Sequence, residues 1–166
     1  MGFFDRFKKR KFEEKTPLNL QVGDMVEYHS TWYFVTVRYV FTEDDWTWYE
    51  YRLEDEEGKE LWLSAEDEGK IETAVYEAVK GADVTPGDKE VTLDDTTYRL
   101  DDSGTARVEM TTRQGTRSGL TCKYWDYVSS GAGCLSVEDW SGSVEVSVGR
   151  EVGAHEYTLH AGTGNL

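Results

Sequence analysis

Residues 70–81 read KIETAVYEAVKG, and the fold class turns on whether they form a helix or a strand. Ile71, Ala74, Val75, Ala78 and Val79 recur at helical spacing. Ile71, Thr73, Val75 and Val79 also fit a period of two, broken only by Glu77. A second copy of the surrounding sequence resolves the ambiguity. LSAED (63–67) returns as LSVED (135–139). Downstream, with one residue inserted, Gly69 meets Gly142, Ile71 meets Val144, Val75 meets Val148 and Val79 meets Val152. Upstream, TWYEY (47–51) meets KYWDY (123–127), and the stretch opening at Thr31 loosely matches the one opening at Thr96. The counterpart of the ambiguous segment is SVEVSVGREV (143–152). It alternates cleanly, is rich in Val and carries Gly149 where a helix disfavours it. Residues 70–79 are therefore expected to form a strand, and 20–80 and 88–160 to be two copies of one meander.

The rest of the chain has the same period. Tyr33, Val35, Val37 and Tyr39 alternate after a turn at His29–Thr31, and WTWYEYRL and ELWLSAE flank the turn EDEEGK. TRQGTRSG (112–119) reads as a hairpin end. The 166 residues include 6 Trp, 10 Tyr and 6 Phe, an aromatic load suited to pleated, half-buried surfaces. The expected fold is all-β, with about ten antiparallel strands from two related halves forming a barrel or barrel-like sandwich. Closing two meanders on each other removes exposed sheet edges, which favours one joint domain over residues 17–166.

Residues 1–16 differ in character. Phe3, Phe4 and Phe7 recur at helical spacing beside the basic cluster Lys8, Lys9, Arg10 and Lys11, and Pro17 follows. This reads as a short amphipathic helix for docking on an anionic membrane surface or a membrane-associated protein. The first 15 residues carry six basic groups against three acids, in a chain whose net charge is −15. A body that acidic repels phosphates, which argues against nucleic acid as a partner and in favour of cations, basic peptides or polyamines. The excess also suits a salt-rich cytoplasm.

Catalytic signatures are lacking. No H-E-x-x-H, phosphate-cradling glycine loop or nucleophile elbow occurs, and His155 and His160 fall at opposite-face spacing on a strand. Cys122 and Cys134 take aromatic positions of the other copy, which marks them as packing thiols rather than zinc ligands or a disulfide framework. Neither a metal nor another cofactor is expected. Within Glu66-Asp67 and Glu138-Asp139, neighbours point to opposite faces and each pair precedes a turn, so these acids are expected to shape turns. The candidate ligand residues are Trp48, Tyr49, Glu50, Trp62, Trp125 and Asp126, an aromatic–acidic set able to hold a cation by charge and cation–π contacts.

LQVGDMVEY (20–28), WYEYRL (48–53) and WLSAED (62–67), with YWDY, LSVEDW and GREV in the second half, resemble the landmarks of the domain of unknown function 4178. That resemblance implies a bacterial or archaeal protein encoded near membrane-stress proteins, small membrane proteins and aminopropyltransferase-like enzymes. It supplies no catalytic residues. The expected function is a non-catalytic cytoplasmic adaptor at the inner membrane face. The alternative is a β-barrel that binds a cationic ligand such as a polyamine.

Overall fold

The computed structural model describes residues 14–162. The docking segment expected around Phe3, Phe4, Phe7 and Lys8–Lys11 lies outside the described residues, as does the helix assigned to it. Eleven strands follow: β1 (Met25–Tyr28), β2 (Thr31–Glu43), β3 (Trp46–Glu54), β4 (Glu60–Asp67), β5 (Ile71–Ala78), β6 (Glu90–Leu93), β7 (Thr96–Thr112), β8 (Gly115–Val128), β9 (Gly133–Trp140), β10 (Ser143–Val152) and β11 (Tyr157–His160). Residues 71–78 are a strand. The β7–β8 turn is Arg113-Gln114, inside the hairpin end read from TRQGTRSG.

All eleven strands form one antiparallel sheet in the order β11-β1-β2-β3-β4-β5-β10-β9-β8-β7-β6. A further pairing of Arg38–Thr42 on β2 with Arg107–Thr111 on β7 turns the sheet back on itself. Eight strands, β2 to β5 and β7 to β10, are thereby linked in a ring along part of their length. The molecule is barrel-like, and two separate sheets do not occur.

Two long strands make this possible by bending. β2 pairs with β1 near its start and with β7 further on, and a bulge separates Val35 from Val37. An inserted residue reverses which face the following side chains occupy. Tyr33 and Val35 therefore pack on the outer side of the ring, whereas Tyr39 and Phe41 join an inner cluster. The alternation read across Tyr33, Val35, Val37 and Tyr39 thus serves two faces rather than one. β7 repeats the device with a bulge between Leu100 and Asp102. Leu100 packs outside, while Ala106 and Val108 pack inside. Both strands also leave equivalent turns: His29-Ser30 and Asp94-Asp95 adopt positive φ at both positions, the twist that two-residue hairpins favour.

The core has three parts. On the outer face of β3–β5, Tyr51, Leu53, Leu61, Leu63 and Val75 are covered by Leu20, Val26 and partly buried Tyr157 and Leu159. On the outer face of β8–β10, Tyr127, Leu135, Val137 and Val146 are covered by Val91 with Ala82 and Val84. The inner cluster joins Phe41, Ala106, Val108, Cys122 and Tyr124. Flanking segments are tied down by polar contacts. Buried Asp24 meets Lys15 at 3.1 Å and accepts a hydrogen bond from the Gly162 amide at 2.8 Å. Arg150 donates to Tyr28 at 2.7 Å and to Glu156 at 2.8 Å, joining β10 to the β1–β2 hairpin.

Candidate functional site: an acidic, aromatic barrel interior

Because each sheet face takes alternate residues, the ring interior receives Trp46, Trp48 and Glu50 from β3, and Trp62, Ser64 and Glu66 from β4. Tyr76 enters from β5, Asp126 from β8, Ser136 and Glu138 from β9, and Glu145 from β10. Between them lies a cavity of ≈ 770 Å³. Among the described residues its lining includes 13 Asp or Glu and no Lys, Arg or His. Its walls pass to exposed acids at Asp44, Asp45, Glu68, Asp101 and Asp102.

One side of this space is aromatic. Tyr39 stands 5.6 Å from both Trp62 and Trp140, and Phe41 stacks on Trp48 at 5.1 Å. Trp48 in turn meets Tyr124 edge-on at 5.4 Å. Trp48, Trp62 and Tyr124, from both halves of the chain, thus line the cavity and are backed by Tyr39, Phe41 and Trp140. The indoles also hold carboxylates: Trp140 Nε1 donates to Glu138 Oε2 at 3.0 Å, and Trp46 Nε1 to Glu66 Oε2 at 3.1 Å. Trp48 makes the equivalent contact with Glu50. Tyr124 Oη donates to Glu43 at 2.7 Å. A side chain at position 104 would collide with both partners, so Gly104 makes room for that contact.

Glu50 and Glu138 approach each other across the ring in hydrogen-bond contact, which requires that one of the two carboxyls carry a proton. Burial, reinforced by the neighbouring Glu138 charge, pushes Glu50 well above the ordinary carboxylate range. Burial also raises Glu138, which accepts from Glu50 and Trp140. Asp126 is pushed up to about 7 by burial, then by the charges of Glu138, Asp102 and Glu66. The same surroundings push Tyr39 up to about 12. Glu50, Asp126 and Glu138 are half-buried and line the cavity. Such pileups of one charge sign in a low-dielectric space are costly unless protons or cations neutralise them. Among the described residues, no three His, Cys, Asp or Glu side chains are placed to hold a metal ion.

Of the six candidates from sequence, Trp48, Glu50, Trp62 and Asp126 line the cavity together. Tyr49 and Trp125 do not. As the neighbours of inward residues they face outward, Tyr49 against the outer cluster and stacked with Tyr51 at 6.5 Å, Trp125 against the cluster on β8–β10. The Glu-Asp dipeptides divide. Asp67 and Asp139 shape the turns, accepting hydrogen bonds from the amides of Gly69 and Gly142. Glu66 and Glu138 face the cavity, as does Trp62. Register held the missing signal: Trp48 pairs with Glu66, and Asp126 pairs with Ser136, two residues from Glu138, so these glutamates share a face with residues already singled out. Cys134 also lines the cavity, whereas Cys122 is buried in the inner cluster; both thiols are free.

A family model described as a domain of unknown function (DUF4178) matches residues 21–154, which hold all eight ring strands. The chain is also 29% identical over 152 residues to the uncharacterized proteins Rv2597 of Mycobacterium tuberculosis and Mb2628 of Mycobacterium bovis. Those alignments cover 87% of this chain and 73% of each relative. No solved structure matches the chain.

Proposed function

The chain belongs to the domain of unknown function 4178 family, and for this member we propose a non-catalytic binding protein that takes an organic cation into its barrel interior. One observation carries the proposal: a ≈ 770 Å³ cavity whose lining, among the described residues, holds 13 acidic side chains and no basic one. A cation entering it relieves the mutual repulsion of the carboxylates. The aromatic floor adds cation–π attraction and apolar contact for the carbon skeleton. Exposed acids at the rim would draw cations inward and concentrate them there. A lining that pairs carboxylates with the indoles of Trp48 and Trp62 suits a polyamine or another flexible ammonium compound, whose carbon skeleton the rings can contact.

Thermal unfolding with spermidine provides the test. Binding to the folded state raises the melting midpoint by mass action, about 2.7 kcal/mol at one hundred times the dissociation constant. The expected result is a shift larger than that given by MgCl₂ or NaCl at matched ionic strength. Equal shifts would mean surface screening only and would sink the proposal.

A second reading concerns location. The basic, Phe-containing segment 1–15 has the chemistry to place the acidic body at an anionic membrane or a membrane protein on its cytoplasmic side. Co-sedimentation with phosphatidylglycerol vesicles should retain the full chain and lose a variant lacking residues 1–15. Equal behaviour of the two would discard the docking role.

A further inference from the structure

Resting on the cation-binding reading, we propose that Glu50 and Glu138 form the seat for the ligand's ammonium group, and that binding there displaces the proton the two carboxyls share. The pair is built from opposite halves of the chain, Glu50 on β3 and Glu138 on β9, and spans the cavity. Each carboxyl is already steadied by an indole N–H, from Trp48 and Trp140 respectively. The two carboxyls meet in hydrogen-bond contact, which two ionised carboxylates could not make without a proton between them. An ammonium N–H group can donate to both at once, which a quaternary nitrogen cannot. The bridging proton then leaves to solvent, one cation entering and one proton departing, and the charge within the cavity stays balanced. The carbon chain beyond the nitrogen lies against Trp48 and Trp62, the indoles that line the cavity beside the pair.

The surrounding groups favour this exchange. Asp126 on β8, Glu66 on β4, Glu145 on β10 and Asp102 on β7 all add negative potential. Tyr39 on β2 and Tyr76 on β5 are held neutral, their phenols raised by burial. Arg52, the cation that bears on Tyr39, is itself paired with Glu60. Among the described lining residues, then, no protein cation competes for the pair. Burial, and then the Glu138 charge, raise Glu50 well above the ordinary carboxylate range, so exchange occurs at a pH where a surface glutamate is already ionised.

Titration calorimetry of the full chain with spermidine, in phosphate and in Tris at pH 6.5, reads the protons released per ligand bound. The wild type should release about one or more. Glu50→Gln keeps a donor for Glu138 but removes the exchangeable proton, so its release should fall by about one. A second measurement needs no variant: wild-type affinity should rise about tenfold per pH unit between pH 5.5 and 7.5, as linkage of one proton requires. Tetramethylammonium, which lacks an N–H, should bind more weakly and release fewer protons. Spermidine binding with no proton release and no pH dependence would overturn the exchange and leave the cation-binding reading standing. Absence of spermidine binding across the whole pH range would overturn both.

Discussion

Glu138 and Asp139 are covalent neighbours with opposite surroundings: the first faces the cavity and accepts from Trp140 Nε1 at 3.0 Å, while the second faces the turn and accepts from the Gly142 amide at 2.7 Å. Glu66 and Asp67 repeat the division on β4, with Trp46 Nε1 at 3.1 Å and the Gly69 amide at 3.0 Å. Substitution should therefore separate the two residue types. Asp67→Ala and Asp139→Ala each remove a turn hydrogen bond and should cost about 0.5–1.5 kcal/mol in urea unfolding. Glu66→Gln and Glu138→Gln retain hydrogen-bonding capacity and remove a crowded charge. Neither should lower stability at pH 8. A similar loss in all four variants would show that the glutamates also serve the turns.

The buried carboxyls set a pH dependence whose sign follows from their direction of shift. Asp126 moves from an ordinary 3.8 to about 7 in the folded protein, and Glu50 moves the same way. Between about pH 4 and 7 the folded state thus holds protons that the unfolded chain has released. Stability contributed by these groups is present in full below pH 4, declines as pH rises through 7 and then levels off. Glu156 acts oppositely: hydrogen bonds from Arg150 and the Gly153 amide lower it to about 2, so its contribution is lost as pH falls below its ordinary value of 4.5. Melting midpoints across pH 4.5–8 should fall on the alkaline side. Asp126→Asn should flatten that decline and gain at least ~1 kcal/mol at pH 8, about 2–4 °C. A wild-type midpoint that is flat from pH 5 to 8 would contradict this assignment.

Strand identity, and which side chains share a face, could be read from local pattern, and the reason is physical. Period-two alternation is a direct consequence of the pleat, so Trp48 and Glu50 had to share a face, as did Trp62 and Glu66. Which face became the interior was not readable, because that depends on ring closure between β2 and β7. The bulges at Val35/Val37 and Leu100/Asp102 were equally hidden. A bulge leaves hydrophobicity intact and changes only the sense of alternation, so Tyr33 and Tyr39 look alike in sequence yet serve different cores. Tyr49 and Trp125 were grouped with their inward neighbours for the same reason: composition marks an aromatic, and only register says where it points.

The two thiols should be silent in the folded protein. Cys122 is fully buried, and burial together with the charges of Glu138 and Glu50 pushes its thiol far above its ordinary range. Cys134 lines the cavity but is raised by burial as well, while Tyr76 donates to it. Since only the thiolate attacks a disulfide reagent, both cysteines should react slowly at pH 8 and stoichiometrically once denatured. Rapid labelling of one thiol in the native state would show that the interior opens far more readily than its packing implies.

Gly149 sits where the two halves of the chain are stitched together, opposite Tyr76 of β5 and Cys134 of β9. A methyl group there would fall 2.7 Å from the Tyr76 ring and would also strike the Val75 carbonyl. The ring can move only toward the cavity, which it already lines, and the carbonyl is fixed by the sheet. Gly149→Ala should therefore cost about 1–3 kcal/mol by overpacking, despite Ala being the better strand residue on propensity alone. Gly131, in the β8–β9 connection, has nothing within 4 Å of the corresponding methyl position, so Gly131→Ala should leave stability unchanged or slightly raised. Urea unfolding of the pair isolates the effect of the seam. Because the displaced Tyr76 ring would take up cavity volume, Gly149→Ala should also weaken the spermidine-induced rise in melting midpoint, while Gly131→Ala leaves it intact. Indistinguishable stabilities for the two variants would mean that the β5–β10 seam is looser than the close approach at Gly149 requires.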